Sequence, residues 1–167
     1  MADGDLKTEP TPNGATSSST GAHIVVGIDR SPDAERALRW AAGEARQRGV
    51  PLHVLFAAEG IGVELARESG WAKAVTYDME EKAALDVIDK TVANVLGDVS
   101  GLEVVPVVAE ETAVASLLEA SKTAELLVVG SRGGGGFDGL MLGSVSLQCA
   151  MHAHCPVVVV RGDDQYR

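Results

Sequence analysis

Between residues 130 and 146 the chain reads GSRGGGGFDGLMLGSVS, with glycine at 130, 133 to 136, 139 and 143 and hydroxyls at Ser144 and Ser146. Glycine loses more conformational freedom on folding than any other residue, so such a run is costly unless something requires it. Three readings compete. The first is a phosphate cradle. Glycines let backbone N–H groups approach phosphate oxygens with no Cβ in the way, and a helix starting near Gly143 offers unpaired N–H groups and the positive end of its dipole. Ser144 and Ser146 add hydroxyl donors where that helix begins, and no lysine is required where enough backbone donors converge. The second is a dinucleotide-binding turn, because Gly134, Gly136 and Gly139 satisfy G-x-G-x-x-G and Asp163 is available as a ribose acid. The helix should open directly on that fingerprint, whereas residues 140–142 (LML) intervene before Gly143, and Asp163 sits in a terminal tail. The third is a flexible linker without a ligand. The Walker pattern fails, since GLMLGS has no lysine before its serine.

The elements that must position this loop follow from the apolar pattern. HIVVGID (23–29) is a β-branched run ending in Asp29. Residues 31–49 follow as a helix, with Ser31 as its cap, Pro32 in its first turn and Ala34, Ala37, Leu38, Ala41 and Ala45 along one face. Gly49 and Pro51 end it. The unit then repeats. PLHVLFA (51–57) is a second strand, and Leu85, Ile88, Val92, Val95 and Leu96 fall at helical spacing. LEVVPVV (102–108) is a third strand, which Pro106 marks as an edge or bulged one. A helix over 113–123, a strand over 124–130, a short helix over 143–153 and a strand over 155–161 complete the chain. Alternation of helices with such apolar strands predicts a doubly wound α/β fold, a single five-stranded parallel sheet with helices on both faces. The common order for five strands is 3-2-1-4-5. Ligands in such folds sit beyond the carboxyl ends of the strands where the winding reverses, here between the first and fourth strands. Asp29 and the glycine loop would flank that one crevice.

Composition narrows the partners. The 167 residues make one domain, with residues 1–22 and 162–167 expected as tails and 1–22 as a disordered one, since Thr, Ser, Pro and Gly leave little to bury there. Aromatics are 4%, so aliphatic side chains must fill the core. A formal charge of −10 argues against a nucleic-acid partner, which would want a basic face. The first residues lack a basic, apolar leader and no stretch is long enough to span a membrane, so a cytoplasmic protein is expected. Cys149, His152, His154 and Cys155 fall within seven residues and suggest zinc, but they straddle a helix end and a strand start, which opposes convergence. His23 and His53 read as hydrogen-bonded structural histidines. Val157, Val158, Val159 and Val160 in a last strand at the sheet edge invite pairing with another chain, unless the N-terminal tail or a loop covers them.

Gly130, Gly133, Gly143 and Ser144 also fit G-x2-G-x9-G-[ST], and this spacing resembles the nucleotide-binding signature of the universal stress proteins. IVVGIDRSPDAERALRWA resembles that family's opening strand and helix, LHVLFA its second strand and HAHCPVVVVR its closing strand, so the resemblance covers about residues 23–161. It implies an adenine nucleotide alpha hydrolase-like fold and ATP, with Mg²⁺, in the crevice. It places Asp29 at the ribose and adenine side with Ile28 beside it, and the backbone of Val54 at the adenine. Gly130, Arg132 and Gly133 would lie at the ribose and first phosphates, and Gly143, Ser144, Val145 and Ser146 around the outer phosphates. It further implies homodimerisation through the last strand and a role as a nucleotide-responsive regulator. Slow ATP hydrolysis or autophosphorylation at the same site, cyclic AMP binding, and a nucleotide-free interaction module are the alternatives. The sequence departs from the family in reading AEETAVAS where many members carry Gly and Pro–Ala; Glu110 and Glu111 would repel a triphosphate there, unless they point to solvent, as a charge pair on a loop is expected to.

Overall fold

In the computed structural model, which describes residues 21–58, 77–133 and 142–162, five strands and four helices alternate along the chain. The strands are β1 (Ile24–Ile28), β2 (Leu52–Ala57), β3 (Val104–Ala109), β4 (Leu126–Gly130) and β5 (Val157–Val160). The helices are α1 (Pro32–Arg48), α2 (Tyr77–Leu96), α3 (Ala113–Ala120) and α4 (Ser144–His152). All strand pairs are parallel, as the alternation predicts, and the order is β3-β2-β1-β4-β5, the common one for five strands. Residues 1–20, Gly134, Gly136, Gly139 and Asp163 lie outside the described residues.

Strand alternation sends successive side chains to opposite faces, and each face receives its own helices. Ile24, Val26, Ile28, Val54 and Phe56 pack against α1 and α2, while Val25, Leu55, Leu127 and Val129 pack against α3 and α4. Helix α1 starts and stops where its sequence directs. The Ser31 hydroxyl accepts the Ala34 N–H at 3.2 Å, Pro32 occupies the first turn, and Gly49 closes the helix at φ 66°. Its buried face is Ala34, Ala37, Leu38, Ala41, Ala42 and Ala45, a small-residue stripe that lets the helix axis approach the sheet closely. On α2 the buried positions are Ala84 and Ile88, with Val87, Val92 and Val95 packed around them. Leu85, expected on that face, stands aside from it, because Ala84 and Ile88 already define the i, i+4 row against the sheet. Pro106 sits on β3, an edge strand, where its missing N–H interrupts no second ladder.

His23 and His53 stack at the amino-terminal end of the sheet, ring centroids 4.1 Å apart and planes 22° from parallel. The His23 Nδ1 lies 3.0 Å from the Gly21 carbonyl. Burial and the neighbouring His23 push the His53 pKa below its usual value, against a smaller opposing pull from Glu103. A histidine held neutral by folding contributes stability above the unfolded pKa of 6.5, and that stability is lost as pH falls from there toward the folded pKa. The urea midpoint of the full chain is therefore expected to drop between pH 7 and about pH 5.5. His53→Gln should flatten that slope, and an unaltered slope in this variant would remove His53 as its source.

Candidate functional site

The crevice opens where the sheet order reverses, at the carboxyl ends of β1 and β4. The turn leaving β1 is built by Asp29, whose Oδ1 accepts the Ser31 N–H at 3.0 Å. Between them Arg30 adopts φ 66°, a left-handed conformation that costs a non-glycine residue about 1 kcal/mol. Its guanidinium lies 5.9 Å from the Phe56 ring centroid. The Asx turn thus sets the Asp29 carboxylate at the rim and hands the chain to the Ser31 cap of α1.

The turn leaving β4 is held from four sides. The Ser131 N–H donates to the Val160 carbonyl at 2.7 Å, and the Ser131 carbonyl accepts the Gly143 N–H at 2.7 Å. The Ser131 hydroxyl donates to Asp33 Oδ2 at 2.6 Å, and the same oxygen accepts the Arg132 N–H at 3.1 Å. Arg36 pairs with the other Asp33 oxygen. Burial works against ionisation of Asp33, yet the hydrogen bonds from Ser131, Arg36 and the Arg132 amide, with the Arg36 charge, outweigh it. They hold the carboxyl below its usual value. Sequence reasoning passed over Asp33 and Ser131. A first-turn acid on a helix ordinarily signals nothing beyond the dipole, and no local spacing announces a partner 98 positions away.

Two glycines stand at close approaches, and at Gly130 the neighbours are fixed. A Cβ on Gly130 would lie 2.7 Å from the Asp33 backbone carbon and 2.9 Å from the Ala34 nitrogen, so α1 docks directly on the end of β4. A Cβ on Gly133 would collide with Asp29 Oδ2. Gly133 and Asp29 therefore face each other across the crevice mouth, as the assumed strand order required.

The ten sequence-predicted residues separate into three groups. Ile28, Asp29, Gly130, Arg132, Gly133, Val145 and Ser146 line the crevice together. Gly143 caps α4 with no side-chain cap bond, and Ser144 is exposed beside it. Val54 is fully buried in the α1/α2 layer, and the β2 residues lining the crevice are Leu55 and Ala57. The apolar wall is completed by Val129 and by Leu117 of α3, which lies against Gly27. The Ser146 hydroxyl donates to the Gly130 carbonyl at 2.6 Å, so its proton is committed within the protein.

The competing features fall elsewhere. Glu110 and Glu111 are exposed and do not line the crevice. Cys149 is buried in the α3/α4 layer, where burial pushes its thiol up to about 11, while His152 and His154 are exposed. Among the described residues no three His, Cys, Asp or Glu side chains converge as metal ligands.

This sheet order, with a crevice at its reversal rimmed by a strand-end aspartate and a glycine-flanked helix start, makes the chain a doubly wound α/β protein open at its switch point. Within that class the chain belongs to the universal stress protein family, whose model matches residues 22–161. It is 36% identical over 151 residues to a universal stress protein of Mycolicibacterium smegmatis, a match covering 89% of this chain and 51% of that protein. The chain spans about half the length of the curated relatives it matches. A universal stress protein from Archaeoglobus fulgidus in complex with dAMP superposes with a TM-score of 0.59 at 25% identity, covering 84% of this chain and 98% of that one. A universal stress protein in complex with cAMP gives 0.53 at 25% identity, covering 83% and 95%.

The Gly130 contact generates a direct test. Two of the three atoms facing it are backbone and the third is the Asp33 Cβ, none of which can swing aside, so Gly130→Ala should destabilise the chain by about 1–3 kcal/mol in urea denaturation. An unchanged midpoint would mean that α1 is not seated on β4 in this way.

Proposed function

We propose that this chain binds an adenine nucleotide in the crevice and works as a nucleotide-responsive regulator, with ATP as the ligand. The observation that carries this reading is the meeting of two unlike surfaces in one cleft. Leu55, Ala57, Leu117, Val129 and Val145 offer an apolar wall suited to a base, and it ends at Asp29 on one side and at the start of α4 on the other. Asp29 accepts from ribose hydroxyls. The Gly133 backbone and the first N–H groups of α4 receive phosphate oxygens, favoured by the helix dipole. Two relatives of 25% identity carry dAMP and cAMP, which supports the adenine class. Magnesium would be held chiefly by phosphate oxygens and water, because no cluster of carboxylates stands among the described residues.

One observation favours a second reading, in which an adenine monophosphate, AMP or cyclic AMP, is the ligand. The Ser146 hydroxyl, the Gly143 N–H and the Arg132 N–H each already have a protein partner. That leaves Ser144, with the α4 amides, as the donor for outer phosphates. Under the ATP reading the α4 start grips the outer phosphates, whereas a monophosphate stops short of it, beside Gly133, and makes little use of Ser144.

A second copy of the chain is the proposed partner, paired along β5. That strand carries Val157 to Val160 at the edge of the sheet, opposite to the Pro106 edge. No helix among the described residues is long and apolar enough to cross a membrane.

Titration calorimetry of the full chain with ATP, AMP and cyclic AMP decides between the readings. ATP is expected to bind most tightly, and Ser144→Ala should weaken ATP by about three- to ten-fold while sparing cyclic AMP. Tighter binding of cyclic AMP, indifferent to Ser144→Ala, would favour the monophosphate. Gly133→Asp should abolish binding of all three, because its carboxylate would be driven against Asp29 and the phosphate path. Undiminished affinity in folded Gly133→Asp would displace the site. Native mass spectrometry of the same samples is expected to show a dimer, and a monomer at every concentration would end the β5 pairing.

A further inference from the structure

We propose that Asp33 is a positioning residue for the phosphate-facing turn: its carboxylate fixes the Ser131–Arg132 peptide so that Arg132 and Gly133 are presented to the crevice. This rests on the adenine-nucleotide reading of the crevice. The peptide between Ser131 and Arg132 is held at both ends. Its carbonyl accepts the Gly143 N–H at 2.7 Å and the Ser146 hydroxyl at 3.3 Å, and its N–H donates to Asp33 Oδ2 at 3.1 Å. On either side, the Ser131 N–H is bound to Val160 and the Arg132 carbonyl accepts the Ser31 hydroxyl at 3.4 Å. Every backbone polar group of the dipeptide is thus paired within the protein. A flipped peptide would point its carbonyl at the Asp33 carboxylate, which excludes that alternative electrostatically.

The dipeptide is therefore a platform whose amides are closed to ligand, and the groups it aims are the next ones along. Gly133 follows immediately and meets Asp29 across the mouth. Arg132 itself lines the crevice. The Gly143 N–H is drawn back onto Ser131, which seats the start of α4 on the same platform. Asp33 lies on α1, behind the turn, and is not itself among the residues lining the crevice. Its Oδ2 serves the turn while its other oxygen is neutralised by Arg36, so it steers the donors without adding an unpaired negative charge beside a phosphate. An acid that served only the α1 dipole would support the fold and would leave ligand discrimination untouched.

The test compares the full chain with Asp33→Ala and Asp33→Asn by titration with ATP, AMP and adenosine, alongside hydrogen exchange of the Arg132 amide. Asp33→Ala is expected to weaken ATP and AMP about ten-fold and adenosine by less than about two-fold, with faster exchange at Arg132. Asp33→Asn keeps an acceptor oxygen for the turn and should recover most of the phosphate-dependent affinity. Should Asp33→Ala fail to fold, Ser131→Ala, which leaves the Arg36 pair intact, is expected to show the same ordering at about three-fold. Equal losses for all three ligands, or unchanged affinities despite an exposed Arg132 amide, would overturn the positioning role alone. Wild-type protein that takes up none of the three would overturn the adenine-nucleotide reading, and the positioning role with it.

Discussion

The Asp33 carboxylate is 5% exposed and still charged, and the turn beside the crevice is organised around keeping it so. A buried, uncompensated carboxylate is strongly unfavourable, so its oxygens must find donors. They find one on α1 itself, Arg36, and two across the sheet, the Ser131 hydroxyl and the Arg132 amide. That requirement draws the first helix and the fourth strand together at their functional ends. The same approach leaves no room for a side chain at Gly130. It also sets Ser131 where β5 and α4 can both bond to it. One charge with fixed partners therefore determines the relative placement of α1, β4, β5 and the start of α4.

The crevice inherits its shape from this arrangement. Parallel pairing in register brings Ile24, Leu52 and Leu126 level at one end, so β1 and β4 also finish together at the other. With α1 docked on one face and α3 and α4 on the other, the reversal between β1 and β4 stays uncovered at its carboxyl end. The half-buried floor there is Gly27, and a Leu117 methyl lies 3.0 Å from where its Cβ would be. A side chain at that place would press on the Leu117 methyls and narrow the apolar wall.

The fold was legible wherever it rested on local pattern. Ser31, Pro32 and Gly49 bound a helix through caps that act within a few residues, and Pro106 marked an edge strand by the ladder bond it cannot make. Asp29 and Gly133 could be placed opposite each other because the common order for five such strands puts the reversal between the first and the fourth. Asp33 and Ser131 were illegible for the converse reason, since each is commonplace among its sequence neighbours. Their importance arises only from a contact spanning 98 positions. Leu85 shows the limit of periodicity in the same way. A helix repeat names a face to within one residue, and packing chooses among the candidates, here Ala84 and Val87.

The two edges of the sheet solve the same exposure problem differently. On β3 a proline interrupts the row of donors that would otherwise template another strand. On β5 four consecutive valines carry neither proline nor charge, and their side chains are only half-buried in either layer. Val160 at the end of that strand accepts the Ser131 N–H. The edge offered for pairing is thus bonded directly to the platform beside the crevice. A chain paired along β5 would rest on the same hydrogen-bond network that shapes the nucleotide turn, so the proposed assembly and the proposed site share one rigid element.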